Sequence, residues 1–202
     1  MTGATQISPI SAWETHIGEA QIGEARIAEA GREERFAELV RTHRDRALRL
    51  AWRLMGGDAA AAEDVVQEAF VRAWRGLPRF RGESSLGTWF YRILVRQAQN
   101  QRRWRSLRAL WDGPPPAELP DARADAPGDP LLRRRIVAAL EGLTGRQRDA
   151  FVLVHLEGFT VREAAEVLAT AEGTLKSHLH RALVALRREL RDLRETPRGE
   201  DR

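Results

Sequence analysis

Apolar residues along this chain recur mostly three or four positions apart, the spacing that lines up side chains on one face of a helix. Phe36, Leu39, Val40, Ala47, Leu50, Ala51 and Leu54 form the first such stripe, and Gly56-Gly57 stops it. Asp58 follows as a cap for a second helix, whose stripe is Ala62, Val65, Val66, Ala69, Phe70 and Ala73. Gly76 and Pro78 end that helix. Asp64, Gln67, Glu68 and Arg72 lie off its apolar stripe, where they make either a docking face or an ordinary solvated surface.

The segment from Phe80 to Arg105 begins as a polar, glycine-containing loop. It then turns into a helix whose Leu86, Trp89, Phe90, Ile93 and Leu94 can reach a core. Arg92, Arg96, Gln99 and Arg103 fall four, three and four apart, a largely cationic ridge along that helix. Aromatic side chains beside such a ridge suit an unpaired nucleic-acid strand, with cations along the phosphates and a ring for an unstacked base. The competing reading places Trp89, Phe90 and Tyr91 in a core.

Toward the C-terminus, Ile136, Val137, Leu140 and Leu143 start a further helical region that continues from Gln147 to Leu156. Thr160 and Glu163 then form a capping box ahead of a short helix carrying Ala164, Ala165, Val167 and Leu168. After the turn Ala169-Thr170-Ala171, with Thr170 as the expected N-cap, a longer helix carries Leu175, Leu179, Ala182, Leu183, Leu186, Leu190 and Leu193 on one stripe. A step of about 100° per residue puts Gly173, Thr174, Ser177, Arg181 and Arg188 on the far side, with Lys176 and His180 on one flank. Donors and cations near the start of a second helix are what a helix-turn-helix offers to a major groove. An amphipathic hairpin with a solvated face gives the same pattern.

Two stretches lack this periodicity. Residues 1–35 hold the near-repeat HIGEA, QIGEA, RIAEA, whose isoleucines five apart cannot share a helical stripe, so a frayed or partner-dependent extension is expected. Residues 112–130 are rich in Pro, Ala and Asp and read as a linker, and residues from Thr196 onward read as disordered.

Composition sharpens this picture in three respects. The net charge of +4 hides alternation: residues 1–35 and 112–130 are net acidic, 36–111 and 131–202 net basic. Two basic blocks flanking an acidic spacer suggest a polyanion gripped at two places. Of the 33 basic residues only Lys176 is a lysine, so arginine abundance alone says little. The chain has no cysteine, which excludes disulfides, thiol redox chemistry and cysteine-ligated zinc. With no apolar run approaching the roughly 20 residues of a membrane span and no leader-like N-terminus, a cytoplasmic protein without membrane insertion is expected.

Enzyme motifs are missing as well. His178 and His180 point about 200° apart on a helix and cannot chelate one ion. Glu163 and Glu166 share a helical face with no nucleophile beside them, and neither a P-loop nor a dinucleotide fingerprint is present. No catalytic residue, metal or cofactor is assigned.

Several motifs in order resemble a bacterial sigma-70 family RNA polymerase sigma factor of the extracytoplasmic-function (ECF, group 4) class. They are Asp64-Val-Val-Gln67-Glu68-Ala-Phe70, the run from Phe80 to Ile93, Leu143-Thr-Gly-Arg-Gln-Arg148, Gly173-Thr-Leu-Lys-Ser177 and Arg181-Ala182. The resemblance implies an all-α protein of two small helical domains joined by a Pro-rich linker. A sigma-2-like domain would cover 36–111, and a sigma-4-like domain with the helix-turn-helix 131–195. It assigns polymerase docking, on the beta-prime clamp helices, to Asp64, Gln67, Glu68 and Arg72. Minus-10 capture and strand opening fall to Arg81, Ser84, Ser85, Trp89, Tyr91, Arg92, Arg96 and Arg103. Minus-35 reading, with sigma-4 seated on the beta flap, falls to Lys176, Ser177, His180 and Arg181, with Arg162 and Thr174 as phosphate contacts. Core RNA polymerase, promoter DNA and an anti-sigma factor are the implied partners. Arg96, Asn100 and His178 depart from residues common in the class, so the recognised promoter sequence does not carry over from other members. A LuxR-type helix-turn-helix activator is the nearest rival, and a nucleic-acid-processing enzyme the rival of another class.

Overall fold

The computed structural model describes the backbone of residues 9–112 and 130–191, with side chains described for 29–108 and 135–191. Among the described residues every regular element is helical: α1 (Pro9–Leu54), α2 (Ala59–Gly76), a 3-10 turn (Leu77–Arg79), α3 (Leu86–Asp112), α4 (Pro130–Glu141), α5 (Gly145–Phe151) running into a π turn (Val152–Leu156), α6 (Val161–Val167) and α7 (Glu172–Glu189). The interior of the expected linker, 113–129, and the tail from 196 lie outside the described residues.

Local chemistry accounts for the breaks. Gly56 takes φ +72°, its N–H donates to the Arg53 carbonyl and that of Gly57 to the Trp52 carbonyl, closing α1 with a left-handed cap that a Cβ would strain. Asp58 then caps α2, its Oδ1 accepting from the Ala61 amide at 2.8 Å. Burial alone would raise the Asp58 carboxyl, but the Ala61 amide and the Arg105 guanidinium outweigh it and hold the group below its usual range.

The helical backbone starts at Pro9, well ahead of the expected domain edge at residue 36. Ala, Glu and Arg dominate residues 19–35 and the glycines there are isolated, a composition that sustains a helix without a shared apolar stripe. The side chains of Ile17, Ile22 and Ile27 lie outside the described set. Arg32 anchors the extension, its guanidinium 3.7 Å from the centre of the Trp74 ring and Nη2 donating to the Trp74 carbonyl.

Helices α1, α2 and α3 enclose Leu39, Leu50, Leu54, Val65, Phe90 and Leu94, with Phe70 stacked on Phe90 at 4.6 Å. This core does not end with the first domain: Ala150, Leu153, Phe159, Ala164 and Leu175 from the C-terminal half belong to the same buried cluster. A smaller cluster of Ala139, Leu140, Leu143, Ala182 and Leu186 ties α4 to α7.

Candidate nucleic-acid interface

The loop between the 3-10 turn and α3 builds the first surface. Ser85 caps α3: its hydroxyl accepts from the Thr88 amide at 3.0 Å and lies 2.8 Å from the Thr88 hydroxyl. That cap aims Trp89 back along the loop, where its ring packs 5.2 Å from Phe80 and close against Gly76. A cleft of about 460 Å³ results, lined by Arg79, Phe80, Arg81, Glu83, Ser84, Trp89, Arg92 and Glu166. Aromatic walls with a guanidinium rim fit a base and its phosphate.

Of the residues expected here, Arg81, Ser84, Trp89 and Arg92 meet at the cleft, while Arg96 and Arg103 are exposed farther along α3. Ser85 serves chiefly as the helix cap. Tyr91 faces the opposite way, 2% exposed, with its ring against His43, Phe90 and Phe159. It is a core residue in this arrangement, since a two-residue step on a helix turns it about 200° from Trp89. Burial raises the Tyr91 hydroxyl above its usual range, while burial and then the charge of Arg46 lower the His43 imidazole. Phe80 and Arg79 were not foreseen as site residues, although the short loop that brings them to Trp89 is visible in the sequence.

Asp64, Gln67, Glu68 and Arg72 are all exposed on α2, opposite its buried stripe. Glu68 and Arg72 pair at 2.7 Å, and the exposed Val71 adds an apolar centre that polarity alone did not reveal.

On the helix-turn-helix, the Thr160 hydroxyl accepts from the Glu163 amide while Glu163 accepts from the Thr160 amide at 2.8 Å, the reciprocal box expected. Those hydrogen bonds hold the Glu163 carboxyl below its usual range. The other expected cap differs. Ala171, not Thr170, occupies the N-cap of α7 and makes no side-chain cap bond. Thr170 instead closes the preceding helix, its N–H donating to the Ala165 carbonyl at 3.0 Å, with Ala169 at φ +49°. Leu175, Leu179, Ala182 and Leu186 are buried, leaving Thr174, Lys176, Ser177, His180 and Arg181 exposed on one side of α7 and Arg162 exposed on α6. Ser177 donates to the Gly173 carbonyl and Lys176 lies 4.0 Å from Glu172, so both are held only lightly.

Sigma-70 region 2 matches residues 39–108 and sigma-70 region 4 matches residues 133–186. The RNA polymerase sigma-E factor of Streptomyces avermitilis is 35% identical over 161 residues, covering 78% of this chain and 87% of its own. The ECF RNA polymerase sigma factor SigM of Mycobacterium tuberculosis is 34% identical over 163 residues, covering 80% of each. Among solved structures, the sigma factor RpoE of Bartonella quintana, bound to the anti-sigma factor NepR, matches with a TM-score of 0.67 at 27% identity, covering 78% of this chain and 98% of that one. CnrH, in complex with the cytosolic domain of CnrY, matches at 0.61 and 27%, covering 83% and 95%. Neither a LuxR-type activator nor an enzyme accounts for the two regions occurring in this order. With a region 2 that carries the cleft, a region 4 that carries the helix-turn-helix, and relatives matched over most of their length, the chain belongs to the sigma-70 family, as an ECF-class sigma factor that binds core RNA polymerase and directs promoter-specific transcription initiation.

Proposed function

We propose a division of labour among the three surfaces of this sigma factor. Residues 36–111 mount on the beta-prime clamp helices through Asp64, Gln67, Glu68 and Arg72, and capture an unpaired minus-10 base in the cleft against Trp89 while Arg81 and Arg92 hold its phosphates. Residues 131–195 read the minus-35 element through Lys176, Ser177, His180 and Arg181, with Arg162 and Thr174 on the backbone. Residues 112–130 span the gap. The observation that carries this reading is the cleft with aromatic walls at the foot of α3, rimmed by Arg81 and Arg92. The chain acts by binding rather than catalysis, in the cytoplasm where polymerase works. Because RpoE and CnrH are seen bound to partner proteins, the same kind of anti-sigma partner is proposed here.

Run-off transcription with purified core enzyme and a panel of genomic fragments tests the reading. Promoter-dependent transcripts from a small subset of fragments are expected; none from any fragment would sink it.

A further inference from the structure

Helix α3 carries one sign of charge along almost its whole length. From Leu86 to Trp111 it holds six arginines and no aspartate or glutamate. Two of those arginines fasten the far end of the helix to its neighbours. Arg102 donates to the Leu54 carbonyl at 3.0 Å and to Asp149 at 2.7 Å, and Arg105 pairs with Asp58 at 2.7 Å. Arg92 borders the cleft and donates to the Glu166 carbonyl at 3.2 Å. The other three, Arg96, Arg103 and Arg108, are exposed and form no ion pair among the described residues.

The face presented in this way is also apolar at its far end, where Trp104 is 71% exposed and Leu107 43% exposed. At about 100° per residue, Arg96, Asn100, Arg103, Trp104 and Leu107 fall within an arc of about 100°, with Arg108 at its edge beside Trp104. A rise of about 1.5 Å per residue sets Trp104 roughly 22 Å along the helix from Trp89. That span exceeds one captured base and equals about six base-pair steps of duplex. Residues 113–129 leave from this end of α3 and lead to the half assigned to the minus-35 element, so the end is directed toward the upstream side of the promoter. The face of α2 assigned to polymerase offers a contrast. It mixes Asp64 and Glu68 with Arg72, whereas the single-signed charge of α3 suits a polyanion.

We infer that the far end of α3 is a second DNA site, one for duplex. Trp104, Leu107 and Arg108, with Arg103 beside them, grip the backbone of the double-stranded segment just upstream of the base held in the cleft. The guanidiniums pair with phosphates, Leu107 and the indole ring cover deoxyribose, and the indole N–H donates to a phosphate oxygen. None of these groups reads a base edge, so the contact strengthens binding to every promoter and selects none. The inference rests on the cleft being the single-strand site, since that fixes which DNA lies alongside α3.

The test uses holoenzyme assembled from core polymerase and the full chain, with affinities read by fluorescence anisotropy. Two probes come from a promoter active in run-off transcription. One is a fork with an unpaired minus-10 strand and upstream duplex that stops short of the minus-35 element; the other is the same minus-10 strand alone. The double variant Trp104→Ala, Arg108→Ala is expected to bind the fork roughly tenfold more weakly and to lower the slope of log affinity against log salt by about one. It should hold the single strand within about twofold of the original. Trp104→Phe combined with Arg108→Lys should restore most of the fork affinity.

Equal losses on fork and strand overturn the inference, as does fork affinity left unchanged. Weaker binding of the double variant to core polymerase without DNA assigns the patch to polymerase and overturns it too. Trp89→Ala separates the two sites, because it should weaken fork and strand alike. If it spares the strand, the cleft reading falls and takes this placement with it. If it weakens both probes while the double variant weakens neither, only the duplex site is lost.

Discussion

Trp89 stands between two jobs, one ring edge packed on Phe80 and Gly76 and the remainder bordering open space. Stacking of a base on such a ring contributes about 1–3 kcal/mol. Trp89→Ala should therefore slow initiation roughly tenfold on duplex promoters and much less on pre-melted templates, a contrast read by run-off transcription on the two. Equal losses would assign the ring to packing alone. Tyr91, two positions on, looked equivalent in sequence. The two-residue step turns Tyr91 to the other side of α3, where Phe159, more than sixty residues away in the chain, covers it; the helical period carries the turn, and no local pattern carries the cover. His43, beneath Tyr91, brings a pH effect. Its imidazole is lowered in the fold, so the unfolded chain takes up the proton first, near the ordinary value of about 6.5. Stability from this group is present above that pH and is lost as pH falls through the interval down to the folded value. Urea midpoints compared at about pH 7.5 and pH 5.5 should fall less in His43→Gln than in the unaltered protein.

At the scale of elements, the caps divide into those that side chains announce and those that backbone geometry makes. Asp58 and the Thr160–Glu163 box were legible because oxygen-bearing side chains three residues from an amide have few other uses. The turn before α7 was not, because Ala169 adopts a left-handed conformation that normally calls for glycine, and this shifts Thr170 from the start of one helix to the end of another. Relieving that strain with Ala169→Gly should raise stability by about 1 kcal/mol, measured by chemical denaturation, with no change in promoter choice. Arg181→Ala, on the exposed face of α7, is expected to do the reverse. It should leave the unfolding free energy within about 0.5 kcal/mol of the original while weakening transcription selectively from promoters that depend on their minus-35 element.

Across the whole molecule, the two helical regions and their order were readable from the motifs, but their packing was not. Asp149 and Glu157 look like any solvated acid on a helical wheel; only the three-dimensional meeting with Arg102, Arg46 and Arg53 reveals them as buried. A core that runs from Leu39 to Leu179 makes the free chain one cooperative unit, so a single unfolding transition is expected by calorimetry. Asp149→Ala, which strands Arg102, should lower its stability by about 3 kcal/mol. The seam between the halves also ties their fates together. Arg46, Arg53 and Arg102 belong to the first half and hold Glu157 and Asp149 of the second. Substitutions among them are therefore expected to be felt by both halves at once, although none lies on the exposed face of α7 that carries Lys176, Ser177, His180 and Arg181.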